Sequence, residues 1–270
     1  MNQKVKTSGS DILKCVKRVL ESGQFILGKE LEAFERELAD WAGVKYAIGV
    51  KSGTDALLLS LRALETPRKG VITTPFTFIA TAESIVNAGY TPVFSDITEN
   101  HLLDPDKIVV REEGVIMPVH LFNQKCDMAK IMRIARKHRL AVIEDSCQHF
   151  SKGIEGDLKC FSFYPTKMLA GIGDGGAVLT NSKKLADKIR MLRNHGSDPQ
   201  NKYLHHIIGY NSRLDEIHAT VLRERLKGEF INTQTYATGK YYPRPLHLQP
   251  CFKYLGYKKG DFPIAEKMAI

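Results

Sequence analysis

A lysine does covalent chemistry when its amine is kept neutral, and one lysine of this chain stands where that could happen. Lys167 follows the apolar, aromatic run Phe161-Ser162-Phe163-Tyr164 and a proline, Pro165. It precedes the glycine-rich turn Gly171-Ile172-Gly173-Asp174-Gly175-Gly176, which leads into a second apolar run, Ala177-Val178-Leu179-Thr180. The first run predicts a strand that stops at the proline. Desolvation at the end of a buried strand disfavours the charged form of a lysine. A neutral lysine attacks aldehydes and forms Schiff bases. Taken alone, Lys167 reads first as a loop lysine in water, so its meaning depends on the partners the chain brings to it.

Three other places carry groups of the right kind. Asp145 ends the mostly apolar run Leu140–Glu144; there it either caps the next turn or holds a positive charge in a pocket. Lys51-Ser52-Gly53-Thr54-Asp55-Ala56 joins a short apolar run to the leucine-rich stretch Leu57-Leu58-Leu59. Ser52 or Thr54 can cap the helix that follows, and the free backbone N–H groups there equally make an anion site. Phe78 closes Thr74-Pro75-Phe76-Thr77-Phe78 and offers an aromatic face.

The elements around these residues predict how they meet. Helical spacing of apolar residues marks Asp11–Glu21, Lys29–Ala42, Phe78–Ala88, Met128–His138, Lys183–Arg193 and Leu214–Leu226. Strands are expected at Tyr46–Val50, Val71–Thr74, Thr91–Asp96, Val115–Leu121, Leu140–Glu144, Cys160–Tyr164 and Gly176–Leu179. Leu31, Phe34, Leu38 and Trp41 share one stripe and read as core. Alternating strands and helices predict an α/β fold, a mostly parallel central sheet with helices on both sides. Ligands of such sheets bind beyond the carboxyl ends of the strands, which is where Thr54, Phe78, Asp145 and Lys167 fall. After Leu226 comes the polar segment Lys227–Gly239, then Tyr241-Tyr242-Pro243-Arg244-Pro245-Leu246-His247. The tail is too poor in apolar residues for a domain of its own.

Composition removes other classes of function. The chain has 270 residues, 43% hydrophobic and 26% charged, as in an ordinary soluble domain. No apolar run approaches a membrane span, and Met1–Ser10 is polar, so a cytoplasmic protein is expected without a membrane partner. Five scattered cysteines without a Cys-x-x-Cys pair argue against a disulfide framework and a zinc site, and the histidines form no ligand pair; no metal is expected. The net charge of +9 is spread along the chain, which suits phosphorylated small molecules better than nucleic acid. No Gly-x-Gly-x-x-Gly opens the first helix after a strand, which weighs against a Rossmann dehydrogenase.

A pyridoxal phosphate cofactor would use all four places at once. Its ring nitrogen needs a carboxylate so that the protonated ring can drain electrons from a substrate carbanion, and Asp145 is the candidate. Its phosphate needs a cradle, for which Gly53 and Thr54 with Ser162 are available. Its ring needs a flat face, Phe78, and its aldehyde needs Lys167.

Much of the chain resembles the DegT–StrS type of sugar-nucleotide aminotransferases (the DegT/DnrJ/StrS family), pyridoxal-phosphate enzymes of the aspartate-aminotransferase fold. The resemblance rests on Gly23-Gln24-Phe25-Ile26-Leu27-Gly28-Lys29-Glu30, Ser52–Leu57, Thr74–Phe78, Pro118-Val119-His120-Leu121 and Ile143-Glu144-Asp145 with Gln148. It continues through Phe161–Lys167, Gly173–Gly176, Arg193-Asn194-His195-Gly196, Gly209–Glu216 and Tyr242–His247, in the family's order. It implies a three-layer α/β/α large domain over residues 1–226 and a truncated small C-terminal domain in 227–270. It also assigns roles. Lys167 would carry pyridoxal 5'-phosphate covalently and shuttle the substrate proton. Asp145 would pair with the ring nitrogen, Phe78 would stack on the ring and Gln148 would reach its 3-hydroxyl. Gly53, Thr54 and Ser162 would hold the phosphate, joined by Asn211 from the second subunit of a homodimer. The implied reaction moves an amino group from glutamate to a keto sugar carried on UDP or dTDP. Related dehydratases carry histidine at the lysine position, so Lys167 favours transamination. A non-catalytic relative that binds cofactor or nucleotide sugar as a sensor is the alternative.

The chain departs from the family after Arg223-Glu224-Arg225-Leu226, where members carry a further helix and most of a small domain. Shorter gaps fall near Thr66–Gly70, Val109–Gly114 and Ser151–Asp157. A site without the closing domain is expected to lose water exclusion and orientation.

Overall fold

The computed structural model describes residues 9–228 and 241–269; most of the polar segment Lys227–Gly239 and the first eight residues lie outside them. Eight helices and seven strands occur among the described residues: α1 (Gly9–Ser22), α2 (Lys29–Ala42), β1 (Tyr46–Val50), α3 (Gly53–Leu64), β2 (Gly70–Thr73), α4 (Ala80–Asn87), β3 (Thr91–Phe94), β4 (Glu113–Ile116), α5 (Met128–His138), β5 (Ala141–Asp145), β6 (Leu158–Ser162), β7 (Gly176–Thr180), α6 (Lys183–Arg193), α7 (Glu216–Leu226) and α8 (Pro263–Met268). The strands form one sheet in the order β1-β7-β6-β5-β4-β2-β3. Every neighbouring pair is parallel except those made by β7, which runs antiparallel to both β1 and β6.

Period-two alternation sends the sheet into two cores. Ile48 and Val178 face one way and pack with Leu57, Leu61 and Ile189 of α3 and α6. Ala47, Ala177 and Leu179 face the other way and pack with Leu31, Phe34 and Leu38 of α2 and with Ala219 and Leu222 of α7. Side chains buried on both faces explain why these strands read as continuous apolar runs. The layers are therefore α/β/α, as expected. Helix starts follow their caps: Ser52 accepts from Asp55 N, Asp127 from Lys130 N and Asp215 from His218 N. Ser52, not Thr54, caps α3, which leaves Thr54 in the helix's first turn.

Several boundaries differ from the sequence expectation, three of them at residues that explain the shift. β4 ends at Ile116 because Pro118 supplies no N–H to a ladder; the chain nevertheless stays beside β5, with Asp145 N donating to Pro118 O and His120 N to Asp145 O, each at 2.9 Å. Phe78 lies outside α4, its carbonyl accepting from Thr81 N. α7 starts at Glu216, since Asp215 is its cap and Leu214 is buried against α2.

The tail is docked onto the large unit. Leu246, Phe252, Phe262 and Ala265 join Phe76, Ala82, Phe94 and Val119 in one buried cluster. Asp96, just past β3, accepts from Ile264 N (3.1 Å) and Ala265 N (2.9 Å), so it caps α8 from across the chain.

Candidate active site

The end of β5 sets the centre. Asp145 is its last residue and only 3% exposed. Oδ2 accepts from Thr81 Oγ1 at 2.8 Å, and Oδ1 from Cys147 N at 3.2 Å. Thr81 in turn meets Thr77 Oγ1 at 3.0 Å. The carboxylate is thereby pinned to α4 and to the turn that presents Phe78. A carboxylate has about four acceptor positions, so two neutral donors leave room for a cationic partner. Phe78 itself is 59% exposed.

The helix start of α3 closes against the end of β6. A methyl group at Gly53 would come within 2.7 Å of Ser162 Cβ and 3.0 Å of Cys147 Sγ, and one at Gly176 within 2.4 Å of Ser52 O. Only glycine lets these backbones approach so closely. The result is a helix N-terminus of small residues, Gly53 and Thr54, beside the hydroxyl of Ser162. That combination attracts a phosphate.

Lys167 sits in the turn after β6, half-buried, its N–H donating to Tyr164 O at 2.8 Å. It lines a small cavity of about 10 Å³ with Ser146, Cys147, Gln148, Phe150, Phe161 and Ser162. Burial and the Asp145 charge push the Cys147 thiol well above its ordinary range, against the pull of Lys167. Both ends of the Gln148 amide are bonded: Oε1 accepts from Phe122 N at 3.3 Å and Nε2 donates one hydrogen to Tyr242 Oη at 2.7 Å.

A buried ionic group lies behind the site. Lys159, 1% exposed, reaches Ser151 Oγ (2.9 Å), Gly153 O (3.0 Å) and Glu144 (3.7 Å). Glu144 also meets His120 Nε2 at 3.0 Å and accepts from the amides of Glu155 and Gly156. Burial alone would raise Glu144, but His120, Lys159 and the Gly156 amide bring it down to about 2. Burial, with His120 and Lys159 nearby, lowers His149 to about 4. Burial also lowers Lys159, against the pull of Glu144.

The structure thus gathers Lys167, Ser162, Gln148, Asp145 and the Gly53–Thr54 turn, with Phe78 one turn from Thr81. Asn211 is not among them. It is exposed and pairs with Asn194 in the loop between α6 and α7. Its neighbour Ser212 donates to Asp55 Oδ2 at 2.6 Å, tying that loop to α3. A larger cavity, about 680 Å³ between α2, α6 and this loop, contains none of the site residues. Sequence reasoning gave no role to Thr81, Cys147 or Tyr242. Thr81 follows Phe78 by one helical turn, a spacing that could have flagged it. Among the described residues no group of His, Cys, Asp and Glu could hold a metal.

A lysine beyond a buried strand, a pinned carboxylate at the neighbouring strand end and a glycine helix start, on a β7-reversed mixed sheet, define a pyridoxal-phosphate-dependent transferase fold. Residues 6–229 match the DegT/DnrJ/EryC1/StrS aminotransferase family, and the chain belongs to that family. It is 37% identical to a pleiotropic regulatory protein of Geobacillus stearothermophilus over 96% of this chain and 87% of the relative. It is 43% identical to a UDP-N-acetyl-3-dehydro-alpha-D-glucosamine 3-aminotransferase of Acidithiobacillus ferrooxidans, over 85% of this chain and 64% of the relative. Among solved structures, Streptomyces venezuelae DesV in complex with a ketimine intermediate superposes with a TM-score of 0.88 at 32% identity, covering 96% of this chain and 87% of that one. The chain spans less than two thirds of several curated aminotransferases it matches. Pyridoxal 5'-phosphate is the cofactor of this family. The residues present fit it: a buried carboxylate with acceptor capacity to spare, a cradle that a Cβ would fill, and a lysine that lines one cavity with Cys147 and Ser162.

Proposed function

We propose that this protein is a sugar-nucleotide aminotransferase that moves an amino group from glutamate to a keto sugar on UDP or dTDP, for amino-sugar and polysaccharide synthesis. The observation that carries the reading is that Cys147 joins the three parts: it lines the Lys167 cavity, its amide donates to Asp145, and its sulfur stands against the Gly53 turn. It is supported by family membership and by relatives named for aminating UDP- and dTDP-linked sugars. The cofactor would supply an electron sink to the carbon losing or gaining nitrogen. Lys167 would hold it covalently and, once released by substrate, carry a proton to and from that carbon. Asp145, fixed by Thr81, would keep the ring nitrogen positive. Gly53, Thr54 and Ser162 would hold the phosphate and Phe78 would cover the ring. Gln148 Nε2 would donate to the 3-hydroxyl.

Residues 1–226 are the cofactor-binding unit in this reading and 227–270 a remnant of the closing domain. Asn211, exposed in its own chain, would complete the phosphate cradle of a second copy. Phe25, Ile26, Tyr164 and Ile172, large and exposed in one chain, support such an assembly. No described helix is long and apolar enough to cross a membrane. The five unpaired thiols suit a reducing, cytoplasmic setting. Amino transfer from glutamate to a panel of UDP- and dTDP-linked 3- and 4-keto sugars tests the reading. Amination of at least one is expected, and binding of cofactor without amination of any would favour the sensor alternative.

A further inference from the structure

Ninety-four residues separate Gln148 from Tyr242, yet they share a 2.7 Å hydrogen bond inside the site. Resting on the function proposed above, we propose that Tyr242 is a positioning residue: it holds the Gln148 amide in its working orientation and so makes the docked tail a wall of the cofactor site.

The geometry around Gln148 is determined from three sides. The backbone amide of Phe122 donates to Oε1, which fixes the sense of the side-chain amide and turns Nε2 towards the tail. The Gln148 carbonyl accepts from Asn123 N at 3.1 Å, so its backbone is held too. A carboxamide nitrogen carries two hydrogens. Tyr242 takes one, and the other is left for an acceptor in the cavity that Gln148 shares with Lys167. Without the phenol oxygen the amide is held at one end only and its rotamer is no longer unique.

Tyr242 is itself placed by the site's other wall. Its ring stands edge-on to Phe76, with centroids 5.5 Å apart at 83°. Four residues on, Leu246 N donates to Pro75 O at 2.7 Å. Pro75 and Phe76 belong to the turn that presents Phe78 and, through Thr77 and Thr81, reaches Asp145. The tail therefore grips the Phe78 turn and the Gln148 loop together. Farther along, the buried cluster and the Asp96 cap on α8 keep it in place. Coupling between two sites is reciprocal, so a ligand that engages Gln148 should also tighten the tail.

The test uses the full chain, titrated with pyridoxal 5'-phosphate. The single tryptophan, Trp41, stacks on Phe150 at 4.2 Å, and Phe150 lines the Lys167 cavity, so Trp41 fluorescence reports binding. Tyr242→Phe keeps the ring and its contact with Phe76 and removes only the hydroxyl. It should weaken binding by about five- to tenfold, the usual effect of losing one such hydrogen bond. In a Gln148→Ala background the same change should have no further effect, an outcome that a merely structural role of Tyr242 would not give. Hydrogen exchange of residues 241–255 should slow on adding the cofactor in the wild type and respond less in Tyr242→Phe. Wild-type affinity in Tyr242→Phe, or an equal loss in the Gln148→Ala background, would overturn the proposal while leaving the cofactor reading intact. Failure of the wild type to bind the cofactor at all would instead overturn both.

Discussion

The chemistry proposed for this site depends on keeping charges where water would dilute them, and the clearest case is the group behind Asp145. Glu144, held near 2 against an ordinary 4.5, is ionised in the folded chain to lower pH than in the unfolded one. Its contribution to stability is complete above about 4.5 and is lost as pH falls towards 2. His149, at about 4 instead of 6.5, acts in the same direction, because the unfolded chain binds its proton first and stability declines from about 6.5 to 4. Glu144→Gln should cost roughly 3 kcal/mol at neutral pH, since it strands the buried Lys159 ammonium, and should flatten the acid limb below pH 4.5. Urea unfolding at a series of pH values measures both. An unchanged acid limb would mean that Glu144 is not held ionised by His120 and Lys159. At this scale the sequence showed the residues but not their bonds. Lys167 and Asp145 stood out by their place after apolar runs. Thr81 and Tyr242 could not, because a hydroxyl's partner 64 or 94 residues away is set by the folded sheet and not by local pattern.

At the scale of elements, the helix start of α3 does the work of an anion cradle only because β6 and β7 press against it. A Cβ at Gly53 would displace Ser162 and Cys147. Gly53→Ala should therefore weaken cofactor binding by at least about tenfold, with a smaller effect on folding, through loss of backbone N–H groups aimed at the phosphate. Fluorescence titration beside a thermal melt separates the two; equal affinity in the variant would remove the cradle from the account. Elements themselves were the most legible part of the chain. α2, α5, α6 and β1 have the boundaries that their apolar spacing predicts. At two boundaries that moved, a specific group accounts for it: Pro118 ended β4, and Asp215 took the cap that Leu214 could not. The antiparallel β7 was not legible, since a strand buried on both faces looks alike in either direction.

For the molecule as a whole, the tail and Asn211 raise the same question of what completes the site. The tail, too poor in apolar residues to fold alone, finds its core on the large unit through Phe252 and Phe262. Asn211 is exposed in its own chain, and its proposed role is at the phosphate of a second copy. Coexpressed Lys167→Ala and Asn211→Ala chains should regain activity that neither has alone, about a quarter of the wild-type value for random pairing of two-fold dimers. No recovery would contradict a shared site.

The central claim is that Lys167 holds the cofactor, and visible absorbance tests it most directly. Wild-type protein incubated with pyridoxal 5'-phosphate and freed of excess should keep a visible band that borohydride fixes to Lys167 and glutamate bleaches. Lys167→Ala should show none. A wild type without the band, or a Lys167→Ala variant that retains it, would contradict the account.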